Sequence, residues 1–359
     1  MSYENRSVKK VYIPKQCRDE MQVILERPVT IVQAPMGYGK TVAVREFLKN
    51  KEVRMIWIDL KQCVNDRWWD YFCRSVRENF PDQQELCDEM VRCGRPGDGQ
   101  TINQVIRIIN SLKPDHPLVY VIDNFHLAVN QLVPRLIEMS VEKSHSNTHV
   151  VLLTQNVYSH MFRELTAGGR LGILDRQLFL FQEQDIENYF GMNDMELTPG
   201  QAGRLLNLTE GWISALCLML TASKGNDTFI VPPGIYETID SGWFSKLSEQ
   251  EAELLYHVAL PEEFTFEQAQ FVIYGRDESQ ADETHHLLSD LTEQNAFLYY
   301  DEENESYHLH QMVRQFLRSK VNRLPVIKRE RIYDSWGDWR QRPGDYDQVP
   351  AGSDMQGIK

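Results

Sequence analysis

Short apolar runs alternate with longer amphipathic stretches through the first half of the chain. The runs are apolar throughout and read as buried strands, at residues 29–34, 53–60, 117–125, 149–154 and 177–181. The stretches between them repeat apolar residues at helical spacing, at residues 40–49, 66–80, 101–112 and 131–141. Strands that are apolar on both faces and separated by helices indicate a parallel sheet covered on both sides. The pattern therefore predicts an α/β domain over residues 1–181.

The pattern changes after about residue 181, where helical spacing replaces the apolar runs. Short helices are predicted at residues 184–190, 198–208 and 212–223, followed by a linker with Gly and Pro at 224–236. Three helices, a hairpin and a helix come next, at residues 248–260, 265–274, 283–295, 297–309 and 310–322. This order is typical of a winged-helix domain. The predicted later regions are a small helical domain with its linker (182–236), a winged-helix domain (237–325), and a helical arm with a disordered tail (326–359).

The chain is acidic, and its charge is unevenly distributed. It has 359 residues with 38 Lys and Arg against 52 Asp and Glu, a formal charge of −14. Residues 181–310 hold 25 acidic and 4 basic residues, a net charge of −21, so the remainder carries +7. The overall sign argues against a simple nucleic-acid binder, whose affinity comes from Lys and Arg meeting phosphates. The basic remainder suits a phosphate ligand.

Cysteine usage and the N-terminus indicate a cytoplasmic location. Six cysteines in 359 residues, without a Cys-x-x-Cys pair, form neither a disulfide scaffold nor a zinc site. The N-terminal segment MSYENRSVKK is polar and lacks the apolar stretch of a signal peptide. The longest apolar run, at about residues 212–222, is too short to span a membrane. We therefore expect reduced thiols and no membrane partner.

The strongest chemical signal is the segment Ala34-Pro35-Met36-Gly37-Tyr38-Gly39-Lys40-Thr41, between the first predicted strand and a helix. It resembles the phosphate-loop pattern G-x-x-x-x-G-K-[ST], with Ala34 in the first Gly position. Gly37 and Gly39 allow backbone N–H groups to wrap a phosphate without Cβ clashes. Lys40 would meet the β- and γ-phosphates, and the Thr41 hydroxyl would bind Mg²⁺. All eight residues are candidate binding residues for ATP or ADP, which makes residues 1–181 a predicted P-loop nucleotide-binding domain.

A second signal lies about 80 residues beyond the phosphate loop, where the apolar run LVYVID ends in Asp123. An Asp at the carboxyl end of a neighbouring strand can hold Mg²⁺ through its water shell. Thr41 and Asp123 are therefore the candidate Mg²⁺ ligands. Asn124 follows, where hydrolysing P-loop ATPases often carry a second acid, and Asn cannot take up a proton at neutral pH. We expect nucleotide to bind and to be hydrolysed slowly or not at all.

These segments together resemble a known protein family. The segments APMGYGKT, VIDNFH and TEGWISAL are similar to those of STAND-type signalling NTPases, in the branch of MalT-like, LuxR-type bacterial transcriptional regulators. WIDLKQCVNDRWWDYF (57–72) is similar to the family's strand, acidic loop and aromatic helix. YHLHQMVRQFLR (307–318) is similar to its winged-helix segment. The resemblance covers about residues 10–335.

The resemblance implies a nucleotide-binding domain, a small helical domain and a winged helix. In such proteins ADP holds the module closed, whereas an inducer and ATP open it for self-association. Besides Lys40, Thr41 and Asp123, the resemblance places His310 of the winged helix on the β-phosphate. A histidine that reaches the nucleotide from a distant domain gives ADP and ATP different contacts, which a ligand switch requires. The alternative is that His308 and His310 are ordinary residues at the end of a hairpin.

Three positions depart from the family pattern, and Asn124 is one of them. Gln155 stands where Arg is usual, so a cationic sensor of the γ-phosphate is missing. Ile213 follows Gly211 and Trp212 where Pro is usual, which leaves the adenine contact open. Trp212 can equally be a core residue without a ligand. Together the departures favour a binding switch over a fast ATPase.

The family's regulators continue into a helical sensor arm and a DNA-binding helix-turn-helix, whereas this sequence stops soon after the winged helix. We therefore expect a truncated regulator or a stand-alone module that self-associates or acts through a regulator partner. Direct DNA binding is not expected, because residues 248–310 carry one basic residue against 16 acidic ones. Two alternatives stay open: an active P-loop ATPase, and a non-switching adaptor that binds a full-length regulator.

Overall fold

The structure is a computed structural model that describes residues 10–63, 67–127, 137, 147–155, 162–222, 231–293, 297–301 and 303–341. The chain divides into two compact units, Met1–Leu197 and Thr198–Lys359. Nearly all of the helix predicted at 131–141, and the whole tail from residue 342, lie outside the described residues. Across the described part of the chain, no helix has both the length and the apolar character needed to cross a bilayer.

The first unit is built on a parallel sheet. Its strands are β1 (Val29–Gln33), β2 (Arg54–Asp59), β3 (Leu118–Asp123), β4 (Thr148–Thr154) and β5 (Leu171–Leu174). They lie in the order β2-β3-β4-β1-β5, and every neighbouring pair is parallel. Successive residues of a strand face opposite sides, and both Tyr120 and Val121 are buried, so both faces are covered. The predicted α/β fold is confirmed.

The fifth strand is Leu171–Leu174, and the strand predicted at 177–181 is wrong. Arg176–Phe179 instead forms a short 3-10 helix. Asp175 caps it by accepting a hydrogen bond from the backbone N–H of Gln177 at 2.9 Å. The run is apolar because its phenylalanines are buried, and burial alone does not distinguish a strand from a tight turn.

The observed edge strand is difficult to recognise because it has four residues and contains Gly172. A Cβ at Gly172 would lie 2.8 Å from Val23 Cγ2 and 3.1 Å from Thr30 Oγ1. Real Cβ atoms essentially never lie as close as 2.8 Å to another atom, so Val23 would have to move, and the approach to Thr30 is tight. The glycine therefore permits the close approach of β5 to α2 (Val23–Glu26) and β1.

The described part of the first unit also contains α-helices. Besides α2, they are α1 (Lys15–Glu20), α3 (Lys40–Lys49), α4 (Trp68–Asn79), α5 (Gln84–Cys93), α6 (Gly99–Ser111), α7 (Arg163–Ala167) and α8 (Glu183–Met192). The longer amphipathic ones, α3, α4, α6 and α8, lie where helical spacing predicts them. On one face of the sheet, Phe72 of α4 stacks on Tyr120 of β3 with ring centroids 5.8 Å apart. This aromatic contact fixes α4 across the strand that ends in Asp123.

The second unit contains the winged helix. Its helices are α9 (Gln201–Thr209), α10 (Ile213–Ala222), α11 (Pro233–Gly242), α12 (Glu249–Val258), α13 (Phe266–Tyr274), α14 (Ala281–Glu293), α15 (Gln311–Val321) and α16 (Val326–Arg340). Its strands β6 (Glu263–Phe264), β7 (Leu298–Asp301) and β8 (Ser306–Leu309) form an antiparallel sheet in the order β6-β8-β7. Three helices, a hairpin and a helix follow one another as predicted.

Helix α11 occupies part of the linker predicted at 224–236, so the linker is shorter than expected. Pro232 is the N-cap of α11, and Pro233 is its first residue. Prolines suggest a linker, but a proline at the first position of a helix loses no hydrogen bond and has the required φ. Residues 223–230 lie outside the described residues.

Helix α16 packs onto the winged helix. The indole N–H of Trp336 donates to the carbonyl of His257 at 2.9 Å, and Ser335 Oγ lies 3.1 Å from His257 Nδ1. Trp339 makes an edge contact with Phe271 at 5.3 Å. The helix that follows the winged helix is therefore anchored on α12 and α13, with Trp336 buried and Trp339 half-buried at the contact.

Glu253 of α12 adds an ionic contact to this packing. Its carboxylate lies 3.7 Å from Nε2 of His257 and 2.5 Å from Nζ of Lys328 on α16. The contact with His257, opposed by burial and reinforced by Lys328, lowers the pKa of Glu253 from 4.5 to about 2. A carboxyl group whose pKa is lowered by folding stabilises the fold above its unfolded pKa. That stabilisation is lost as the pH falls towards 2.

We predict that Glu253→Gln lowers the free energy of unfolding by about 0.5–1 kcal/mol at pH 7, the usual range for a partly exposed pair. The loss should shrink as the pH is lowered from 5 towards 3. Urea unfolding of the full chain across this pH range tests it. Glu330→Gln is the control, because Glu330 is exposed on α16 and the variant loses the same charge. A loss that stays constant with pH would contradict the assignment.

Candidate nucleotide-binding site

The phosphate loop connects the carboxyl end of β1 to the start of α3. Gly37 and Gly39 have φ angles of 77° and 81°, and Gly39 is the N-cap of α3. Other L-residues would pay about 1–2 kcal/mol for such a left-handed conformation. The loop therefore needs glycine at both positions, as the sequence pattern requires. Among the other predicted residues, the buried ones are Ala34, Pro35 and Tyr38, and Met36 is half-buried.

Lys40 turns back over the loop that precedes it. Its Nζ donates to the carbonyl oxygen of Ala34 at 2.5 Å and to that of Pro35 at 2.9 Å. Burial lowers the pKa of Lys40 to about 7, although the nearby charge of Asp123 favours the protonated form. A phosphate oxygen at this position would stabilise the ammonium form more strongly than the two carbonyls do.

Thr41 and Asp123 are brought together by the fold. The Thr41 hydroxyl donates to Oδ2 of Asp123 at 3.0 Å and lies 3.3 Å from Oδ1. Burial raises the pKa of Asp123, while the hydrogen bond from Thr41 opposes this shift. The two residues are 82 positions apart, so the contact depends on how the strands are ordered.

The oxygen donors of this pair fit Mg²⁺, which prefers one or two protein oxygens together with phosphate oxygens and water. Across the described residues, no group of three or more His, Cys, Asp or Glu could hold a metal by itself. The phosphates of a bound nucleotide would supply further oxygen ligands to a cation at this pair. When bound, Mg²⁺ neutralises phosphate charge.

Asn124 contacts two carboxylates, one of which the sequence interpretation missed. Its φ is 58°, and its backbone N–H donates to Oδ1 of Asp123 at 2.9 Å. Its side-chain amide donates to Oδ1 of Asp59 at 2.8 Å. Asp59 ends β2 and lies opposite Asp123 in the register of the parallel pair. A signal was present, since each strand ends in the same dipeptide, Ile-Asp.

Strand β4 lies between β3 and β1, and its end contacts the start of the phosphate loop. The backbone N–H of Ala34 donates to the carbonyl of Thr154 at 3.3 Å. Gln155 follows directly at the same edge of the sheet. Its side chain carries no charge. Gln155 therefore does not supply the cationic γ-phosphate sensor that the family resemblance leads us to expect at this position.

His310 lies in the second unit and is fully buried. Its Nδ1 accepts the backbone N–H of Met312 at 3.3 Å, so His310 is the N-cap of α15. The other nitrogen, Nε2, then carries the hydrogen of the neutral ring and donates to the carbonyl of Thr209 at 3.1 Å. The ring also makes edge contacts with Trp212 and Phe297, at 5.6 and 5.9 Å.

The segment TEGW (209–212) supplies the residues that contact His310 and the start of α15. Glu210 has a φ of 49° and ends α9, and its Oε1 accepts the backbone N–H of Gln311 at 2.7 Å. Gly211 has a φ of 75°, and Trp212 is fully buried. His310 and Glu210 together hold the start of α15 against the end of α9. We call these two residues, with Thr209 and Trp212, the histidine clasp.

We predict that His310→Ala lowers the free energy of unfolding by about 2–4 kcal/mol, because it leaves a cavity and removes both ring hydrogen bonds. Chemical denaturation of the full chain measures the change. His308→Ala is the control, since His308 lies two residues earlier and is only half-buried. It should cost less than about 1 kcal/mol. Equal costs for both variants would show that the clasp carries no special stability.

Comparisons with known proteins agree with this architecture. Residues 241–326 match the family model of the MalT winged helix domain. The Walker-type ATPase PABY2304 of Pyrococcus abyssi is similar in structure, with a TM-score of 0.64 and 13% identity, over 88% of this chain and 99% of that one. The chain thus has the fold of a P-loop ATPase and carries a MalT-type winged helix.

Two origin-recognition proteins give lower scores. The Aeropyrum pernix ORC1 protein in complex with DNA has a TM-score of 0.42 and 11% identity, over 86% of this chain and 93% of that one. Drosophila ORC bound to DNA has a TM-score of 0.37 and 15% identity, over 84% of this chain and 91% of that one.

Proposed function

We propose that the protein is an ATP/ADP-binding signalling switch, the regulatory NTPase core of a MalT-like regulator of the LuxR family. One observation carries the proposal. The loop with Lys40 and the Thr41–Asp123 pair lies at the carboxyl edge of a P-loop ATPase fold, in a chain whose residues 241–326 match the MalT winged helix domain. The ligand is ATP or ADP with Mg²⁺.

Hydrolysis in this proposal is slow. A second acid directly after Asp123 would accept a proton from the attacking water, and the amide of Asn124 cannot. The neutral Gln155 gives no positive charge to stabilise the γ-phosphate during transfer. A slow reaction keeps the bound nucleotide in one state long enough to act as a signal.

The switch itself requires ADP and ATP to have different affinities for two conformations. The family resemblance assigns part of that difference to His310. The Nε2–H of His310 donates to Thr209, so a contact with a β-phosphate would exchange a carbonyl acceptor for a phosphate oxygen. We propose that opening of the histidine clasp accompanies this exchange.

The proposed partner is a second copy of this chain or a related regulator. DNA is not part of the proposal, since residues 248–310 have 16 acidic residues and one basic residue. The turn of the hairpin, where a wing would approach a phosphate backbone, exposes Glu303 and Glu305. Such a surface repels nucleic acid.

We predict that Lys40→Ala weakens binding of Mg²⁺-ATP and of ADP by about 10- to 100-fold, the worth of a charge-assisted contact. Titration calorimetry with each nucleotide measures the effect. Lys49→Ala, at the exposed opposite end of α3, should bind like the wild type. Unchanged affinity in Lys40→Ala would contradict the assignment of the loop.

The same measurements separate the alternative functions. Fast ATP turnover that Lys40→Ala abolishes would indicate an active P-loop ATPase instead of a slow switch. Pairing with a regulator that depends neither on nucleotide nor on Lys40 would indicate an adaptor that does not switch.

We further predict that His310→Ala releases ADP faster and self-associates more than the wild type. The reason is that the variant loses the contact assigned to the ADP state. ADP dissociation rates measure the first effect, and light scattering during size-exclusion chromatography measures the second. Both are measured at temperatures below the unfolding midpoint of the variant. His308→Ala is again the control. If ADP affinity and oligomeric state both stay unchanged, His310 has no role at the nucleotide.

A further inference from the structure

Two carboxylates lie side by side at the carboxyl edge of the first unit's sheet. Asp59 ends β2 and Asp123 ends β3, and the parallel register pairs these two residues. Neighbouring strands are about 4.8 Å apart, so the two side chains start from adjacent positions. Asp59 therefore lies directly beside the candidate Mg²⁺ ligand at the edge where the phosphate loop begins.

Asn124 holds both acids in place. Its backbone N–H binds Oδ1 of Asp123 and its side-chain amide binds Oδ1 of Asp59, at 2.9 and 2.8 Å. The left-handed φ of 58° allows one residue to reach in both directions, and Asn is among the few residues that adopt it readily. The same oxygen of Asp59 also accepts the backbone N–H of Lys61 at 3.0 Å.

The other strand ends near Asp123 cannot supply a base. β4 and β1, the next strands in order, end in Thr154 and Gln33, and neither side chain takes up a proton at neutral pH. Asp123 itself is buried and already accepts a hydrogen bond from the Thr41 hydroxyl. Asp59 is half-buried, so it can exchange protons with solvent.

We propose that Asp59 is the catalytic base of the slow ATP hydrolysis and that Asn124 is its positioning residue. In this reaction the oxygen of a water molecule forms a bond to the γ-phosphorus. The bond from that phosphorus to the β,γ-bridging oxygen breaks, and ADP leaves with the electron pair. The carboxylate of Asp59 accepts the proton of the water and passes it to solvent. The inference rests on the proposed function, because it requires ATP at the phosphate loop.

Asn124 thus has a second meaning. Asn124 does not supply an acid after Asp123, but its side-chain amide holds Asp59, the acid at the end of the neighbouring strand. A base on β2, the strand next to β3, instead of directly after Asp123 is consistent with turnover that is slow but still catalysed by the protein.

The test measures ATP binding and single-turnover hydrolysis separately, with the full chain. Asp59→Asn should slow hydrolysis by about 100-fold or more, the usual contribution of a general base, and keep the Kd for ATP within about threefold. Asn124→Gly retains the left-handed conformation and removes the amide. It should slow hydrolysis by about tenfold with an unchanged Kd, a separation that a general loss of folding would not give. Asp175→Asn, after β5 at the far edge, is the control and should alter neither quantity.

Each other outcome is decisive. Hydrolysis by Asp59→Asn at the wild-type rate would overturn the proposal, as would wild-type hydrolysis no faster than that of Lys40→Ala. Loss of ATP binding in Asp59→Asn would place Asp59 in binding or folding instead of catalysis. Failure of the wild type to bind ATP would defeat the proposed function itself, and the binding measurement distinguishes that case from failure of the base alone.

Discussion

The hydrogen bond between Thr41 and Asp123 is the contact on which the candidate site depends. It joins the first turn of α3 to the end of β3, although β4 lies between β3 and β1 in the sheet. Only parallel pairing of these three strands brings their carboxyl ends to one edge, where the phosphate loop begins. The burial of Tyr120 under Phe72, and of the strand residues on both faces, therefore supports the chemistry at that edge.

The second unit is organised around a different constraint, a buried histidine with a defined tautomer. His310 caps α15 with one ring nitrogen and reaches the end of α9 with the other. The left-handed residues Glu210 and Gly211 turn the chain so that Trp212 enters the core. A contact that joins two helices through a single ring can break as one event, a property suited to a change between two states.

The sequence was sufficient for the elements whose signals are local. β1, β3 and β4 are continuous apolar runs, and Gly39 with Lys40 marks the start of α3. β5 was missed because a strand of four residues with a central glycine resembles a turn. Asp59 was missed for another reason: β2 is an edge strand with alternating burial, and nothing local states which strand lies beside it. Pairing between distant strands is set by the whole fold, which local patterns do not contain.

The packing around Gly172 has a consequence for how this sequence can vary over evolutionary time. A side chain there would collide with Val23 of α2 and crowd Thr30 of β1, and β1 leads directly into the phosphate loop. Gly191 and Gly337, by contrast, have open space where a Cβ would lie. A side chain at either of these two positions would meet no neighbouring atom, whereas a substitution at Gly172 would disturb the packing of the strand that leads into the phosphate loop.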